Sequence, residues 1–381
     1  MREIENSKSR VWGLDALRVA AMMMIVGLHY LLFGEVLFHS GGMIHRLAWF
    51  MESFLLIAVD CYVLISGYFL VIQTKFRLKP LAKIWVHAFF YAGIFYAWHV
   101  YTTGGGIQLK DLLRALLPVR YELYWFVTAY VGMFLLSPFL ARLAKSLSRR
   151  EYWRFLMVMT AAFSFYSFFR PESDPFKMGG GYCVLWFIVL FFWGGYIRLW
   201  GIAAGKSKAW WVYVMASVAT FLLSIPVEWI LLAEGFKIKT LGFQGFYQYN
   251  SPTVLLAALA LFLVFLQMER PRGFFGCVIS WMAPLTFGVY LIHENMYIRK
   301  ELWGHWISTV SAREGNIWYF AAHMAVTVLG VFLVCILIDA VRAKIFRILS
   351  PAAERLWKYL SEKFSIWYLK WEAHWIGEEE D

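Results

Sequence analysis

Ten apolar runs punctuate the chain, at 13–34, 48–72, 84–101, 123–141, 154–170, 182–198, 210–230, 253–268, 275–296 and 318–342. Each is close to the roughly 20 residues that a helix needs to cross a bilayer. The fifth is the least apolar, diluted by Ser, Thr and aromatic residues. The pattern predicts an all-α polytopic membrane protein with about ten transmembrane helices and both termini on one side. Beyond 345 the chain mixes Trp, Tyr and Leu with Lys and Glu and ends in an acidic run. That mixture predicts an amphipathic helix lying on the inner leaflet. The predicted domains are therefore a transmembrane domain, 1–345, and a cytoplasmic tail, 346–381.

Charge orients the predicted helices. Of the 36 Lys and Arg, 24 fall on the side of the N-terminus and 11 in the opposite loops, the remaining one being Arg18 within the first run. Cytoplasmic loops carry the excess of Lys and Arg, so the asymmetry predicts N-in and C-in. Lys8 and Arg10 precede the first run, which is too long for a signal-peptide core and reads as a retained helix. The loop at 75–83, KFRLKPLAK, holds four cations and no anion, and the loop at 142–154 is similar. Such loops set topology. They could also hold the phosphates of a cytosolic donor. The outer loops at 101–122, 170–181 and 233–252 are richer in Gly, Pro and aromatic residues. Those aromatics fit a membrane-interface belt or sugar stacking.

Composition narrows the class. The chain is 61% hydrophobic and 20% aromatic, well above a soluble globular protein. The formal charge of +11 reads as loop topology rather than nucleic-acid binding. The four cysteines, Cys61, Cys183, Cys277 and Cys335, sit in apolar runs without metal spacing. There is no phosphate-binding glycine loop, dinucleotide fingerprint, nucleophile elbow or zinc motif.

Costly polar groups inside the runs carry the candidate chemistry. Arg18 and His29 lie in the first run, eleven residues apart. That is close to three helical turns, so they share a face about 16 Å apart along the axis. They fit a track for an anionic substrate leading to a proton-transfer group. Alternatively, Asp15 and Arg18 pair at the inner surface and His29 is an ordinary core histidine. Asp60 in the second run needs a partner, and Arg18 is at a comparable depth. Ser66 and Gly67 fit either a site or a close helix contact. The ninth run contains Tyr290-Leu291-Ile292-His293-Glu294. His293 reaches the same outer half as His29 and could serve one cavity with it, or could be hydrated at the interface with Glu294. Asp339 and Arg342, three apart, fit an ion pair.

These residues resemble the acyltransferase-3 family of integral-membrane O-acyltransferases. The matching pieces are Leu14-Asp15-x-Leu17-Arg18 with ten residues to His29; Leu64-Ile65-Ser66-Gly67-Tyr68; Tyr124-Trp125-Phe126 followed by Leu136-Ser137-Pro138; Phe287-Gly288-Val289-Tyr290-Leu291-Ile292-His293; and Asp339-x-x-Arg342. One departure stands out. Family members often carry two arginines three apart after the second helix, where this chain has Lys79-x-x-x-Lys83. The resemblance implies a multi-pass protein of the bacterial inner membrane that transfers an acyl group, most often acetyl, from cytosolic acyl-CoA to a hydroxyl of a surface or exported glycan, without a metal. Its implied partners are acyl-CoA, a glycan or lipid-linked glycan acceptor and membrane lipids. In that scheme Arg77, Lys79 and Lys83 attract the coenzyme phosphates and Arg18 binds a phosphate or polarises the donor. His29 acts as general base, or as a covalent nucleophile. His293 and Tyr290 orient the acceptor or donate to the oxyanion, while Asp15, Asp60, Ser66, Trp125 and Asp339 support the site. The reading from a different class is a transporter or flippase for a lipid-linked or anionic solute, with the same polar groups forming its path.

Overall fold

Helices account for all the regular structure among the residues that the computed structural model describes, 11–166, 174–233 and 245–376. Lys8, Arg10, the end of the fifth apolar run, much of the outer loops at 170–181 and 233–252, and the terminal acidic run lie outside the described residues. The main helices are α1 (Trp12–Phe33), α2 (Gly42–Leu55), α3 (Ala58–Leu70), α4 (Leu78–Thr103), α5 (Trp125–Ser146), α6 (Arg149–Thr160), α7 (Val184–Trp200), α8 (Lys206–Ala233), α9 (Pro252–Leu266), α10 (Phe274–Met282), α11 (Thr286–His293) and α12 (Ile317–Ile376). The chain divides into two compact units, 1–335 and 336–381.

Among the described residues, six helical stretches are long and apolar enough to cross a membrane: Trp12–Phe33, Gly42–Leu70, Trp125–Ser146, Lys206–Pro226, Phe274–His293 and Ile317–Pro351. The first of these is the N-terminal run, which buries Asp15 and leaves Arg18 and His29 half-buried. Val184–Trp200 and Pro252–Leu266 are apolar but shorter. The predicted amphipathic tail is helical, but it is a continuation of α12 rather than a separate element, with Pro351 inside the helix.

Local chemistry sets the helix ends. Asp15 lies in the first turn of α1, where a carboxylate faces the positive end of the helix dipole. A capping box starts α6: Ser148 Oγ accepts from the Glu151 N–H, and the Glu151 carboxylate accepts from the Ser148 N–H at 2.8 Å. Gly104, at φ 63°, closes α4 in the left-handed conformation that glycine adopts without steric cost.

Small residues bring the helices together. A side chain at Gly67 of α3 would overlap the Phe191 backbone, and one at Gly194 of α7 would overlap the Leu64 carbonyl. The two glycines thus let α3 and α7 approach backbone to backbone. Between α10 and α11 the helix tightens into one 3-10 turn, Ala283–Leu285. Pro284 has no N–H to continue the ladder, and Thr286 Oγ1 donates to the Ala283 carbonyl at 2.9 Å. Irregular backbone at membrane depth is tolerated where it lines a cavity, and this turn does so. Helix α1 is packed against α2, α3, α9, α10 and α11, which buries its polar face inside the bundle.

Candidate active site

The polar face of α1 opens onto two adjoining cavities. Arg18 lines an open cavity of about 560 Å³ together with Asp15, Ser66, Tyr130 and the Pro284 turn. Arg18 Nη1 donates to Asp15 Oδ1 at 2.7 Å, and its guanidinium stands 5.7 Å from the Phe69 ring centre. His29 lines a second, narrow chamber of about 40 Å³ with Met22, Ile25, Val59, Trp125 and Tyr290. Tyr62, Phe126 and Phe287 line both. These three rings form the partition, and Tyr62 is pinned by donating its hydroxyl to the Arg18 carbonyl at 2.7 Å.

Behind the chamber, His29 is held by a relay of defined direction. His293 Nδ1 lies against the Val289 carbonyl at 2.5 Å, and His293 Nε2 lies 2.8 Å from His29 Nδ1. A carbonyl only accepts, so His293 carries its hydrogen on Nδ1 and its Nε2 is a bare acceptor when the ring is neutral. His29 must then carry its own hydrogen on Nδ1. The lone pair of His29 Nε2, which has no protein partner among the described residues, is left to the chamber. Two turns of sequence thus fix a tautomer: α11 supplies its own carbonyl four residues before His293, and α1 delivers His29 onto the far nitrogen.

A carboxylate completes the arrangement. Glu294 Oε2 lies 3.3 Å from His29 Nδ1, and Glu294 Oε1 accepts from Arg299 Nη1 at 2.8 Å. Arg299 also covers the Phe33 ring at 4.5 Å, and Phe33 tilts against His29. Glu294 is 7% exposed and His293 is fully buried, so neither is a hydrated interface group. Tyr124 ties the end of α11 in place by donating to the Leu291 carbonyl at 3.0 Å and accepting from Asn295 Nδ2 at 2.8 Å. The buried hydroxyl of Tyr290 in the chamber wall has no hydrogen-bond partner among the described residues, leaving a donor for a bound group.

The remaining sequence candidates separate. Asp60 does not pair with Arg18. Its Oδ1 accepts from Trp186 Nε1 at 3.1 Å, while Arg18 is satisfied by Asp15 one turn away on its own helix. Trp125 stacks on Tyr249, ring centres 5.6 Å apart, and touches Tyr182, so its indole faces the chamber as part of an aromatic wall. Ser66 lines the Arg18 cavity, while Gly67 makes the α3–α7 contact. Arg77, Lys79 and Lys83 are exposed around the start of α4. They do not line the Arg18 cavity, although Ile84 does. Asp339 and Arg342 form a two-pronged ion pair, 2.7 and 2.8 Å, within α12.

Sequence reasoning did not single out Tyr62, Phe126, Phe287 or Tyr249 as walls of the cavities, nor Glu294 as a partner of His29. The adjacency of Glu294 to His293 was the available signal.

The sequence profile of the acyltransferase-3 family, described as an acyltransferase domain, matches residues 11–336. No curated protein and no solved structure matches the chain.

Proposed function

Because the chain belongs to the acyltransferase-3 family and is a membrane acyltransferase, we propose that it moves an acetyl group from cytosolic acetyl-CoA to a hydroxyl of an exported or surface glycan. The observation that carries this reading is the His29 relay: a neutral imidazole with a bare Nε2 in a chamber adjoining a cavity with a cation. The family favours acyl transfer over the transport alternative.

The charge asymmetry of the loops supports ten membrane segments with both termini in the cytoplasm. The Arg18 cavity is then the donor's entrance. The coenzyme is polyanionic, and Arg77, Lys79 and Lys83 near the mouth attract its phosphates. Its flexible pantetheine arm passes Arg18 and carries the thioester through the partition of Tyr62, Phe126 and Phe287. The chamber beyond is lined by apolar and aromatic groups with no Lys or Arg, so a second carboxylate, as on a succinyl group, has no counter-ion there. That supports a short uncharged acyl group.

In the chemical step His29 Nε2 takes the proton from the acceptor hydroxyl as its oxygen attacks the thioester carbonyl. The imidazolium so formed is flanked by the Glu294 carboxylate, which offsets its charge. The Tyr290 hydroxyl donates to the oxyanion. The tetrahedral adduct then collapses, the C–S bond breaks, and the proton on His29 passes to the departing thiolate. No acyl-enzyme is needed, because the lone pair that would form it serves as the base.

Membranes containing the protein, incubated with acetyl-CoA labelled in the acetyl group, are expected to transfer label to extractable glycan, and surface polysaccharide from cells lacking the gene to lose an acetyl mass by mass spectrometry. Label that stays in the coenzyme, with unchanged polysaccharide masses in the two strains, overturns the reading.

A further inference from the structure

A separate charged pocket lies at the start of α6. Arg149, Arg150 and Arg154 enclose, with Trp153 and Tyr196, an open pocket of about 500 Å³. Among the described residues none of these arginines forms an ion pair. Arg149 Nε reaches only the Tyr196 hydroxyl, at 3.4 Å. The neighbouring acid, Glu151, is engaged in the capping box with Ser148, whose hydrogen bonds hold its carboxyl below the usual carboxylate range. The N-terminus of α6 is therefore satisfied by the protein itself, and of the three guanidinium groups Arg154 alone feels the Glu151 carboxylate, without an ion pair to it.

The surface beside the pocket changes from cationic to apolar along one helical row. Arg150, Arg154 and Val158 follow at four-residue steps and share a face. All three are exposed, Val158 by 67%, and Phe165 one to two turns further on is also exposed. Trp153, partly exposed at the same level as the arginines, is the type of residue that sits at the headgroup depth of a bilayer. The row also lies at the Arg18 end of the fold. Helix α5 begins beside Tyr124 and the Leu291 carbonyl, near His293. It ends with Lys145, whose Nζ donates to the carbonyl of Ile72, just beyond α3. None of the residues lining this pocket lines the Arg18 cavity or the His29 chamber.

We propose that this pocket binds the phosphate headgroup of an anionic membrane lipid, with one acyl chain lying along Val158 toward Phe165. Guanidinium forks match phosphate oxygens in pairs, and basic pockets at the cytoplasmic ends of membrane helices hold anionic headgroups. The apolar continuation of the row fits a lipid, which carries a chain below its phosphate, better than a free nucleotide.

The test is lipid retention by native mass spectrometry of the purified full chain in neutral detergent, with phosphatidylglycerol or phosphatidylcholine added. The wild-type protein is expected to retain phosphatidylglycerol over phosphatidylcholine. R150Q/R154Q is expected to lose that preference by roughly fivefold for each arginine removed, and the single variant R154Q provides the same comparison should the double variant not fold. Coenzyme A added in excess is expected to leave the lipid bound. Equal retention of the two lipids by the wild type, unchanged retention by the variants, or displacement of phosphatidylglycerol by coenzyme A overturns the proposal, the last assigning the pocket to a donor's phosphates.

Discussion

His29 Nδ1 and His293 Nε2 stand 2.8 Å apart, and the Val289 carbonyl behind His293 gives that hydrogen bond its direction. Three backbone and ring atoms from two helices thereby decide which nitrogen of His29 is bare. In the proposed mechanism the lone pair that acts as base is set by a buried neighbour, so residues that never meet the acceptor are expected to control the rate.

The first consequence concerns His293. In His293→Ala the His29 Nδ1–H loses its nearer acceptor and keeps only Glu294 Oε2, at 3.3 Å. The expected result is a fall in kcat of roughly 10², the scale of a general base made ineffective, with an unchanged KM for the acyl donor. His293→Gln, whose amide oxygen can accept from His29 Nδ1, is expected to recover part of the rate. Steady-state kinetics on purified protein check both.

In the proposed step Glu294 acts through charge. Glu294→Gln keeps the shape and removes the carboxylate beside the imidazolium, so kcat is expected to fall by roughly tenfold to a hundredfold. Stability is expected to change little, because the partner Arg299 is 38% exposed and its ion pair is screened by water. A thermal melt run beside the kinetics separates the two effects.

The aromatic partition sets what fits beyond it. Phe126→Ala removes a ring shared by both cavities and enlarges the His29 chamber. The ratio of kcat/KM for acetyl-CoA over butyryl-CoA is expected to drop by roughly tenfold or more, the selectivity that a methylene or two contributes in an apolar pocket. A ratio equal to that of the wild type removes the partition from the account.

Gly67 tests the scaffold rather than the chemistry. A valine there would overlap the Phe191 backbone, and overpacking of this kind costs about 1–3 kcal/mol. Gly67→Val is expected to lower the melting temperature, while Gly93→Ala, where an added Cβ meets nothing within 4 Å, is expected to leave it unchanged or raised.

The sequence carried the parts of this site that follow from helical geometry. Arg18 and His29 share a face because eleven residues make nearly three turns, and a histidine at equal depth in the ninth run was a natural companion. The Arg18 pairing was legible as one of two choices, since Asp15 sits one turn away. The partner of Asp60 was not legible: Trp186 lies on α7, 126 residues on, and meets Asp60 only through the tertiary packing of α3 against α7, which Gly67 and Gly194 bring close. The direction of the relay was hidden as well, because it depends on a backbone carbonyl. The cavity walls were not readable because Phe126 and Phe287 look like any apolar residue of a membrane helix until the Pro284 turn opens space beside them. Of the ten apolar runs, six meet the length and apolarity of a membrane span among the described residues, and two others are apolar but short.

The most direct measurement is single-turnover transfer of a labelled acetyl group from acetyl-CoA to acceptor glycan, comparing purified wild-type protein with His29→Ala. The relay predicts that the variant inserts, melts and binds donor as the wild type does, while its transfer rate falls by about 10²–10⁴. A His29→Ala protein that transfers acetyl at the wild-type rate would contradict the central claim that His29 Nε2 is the base.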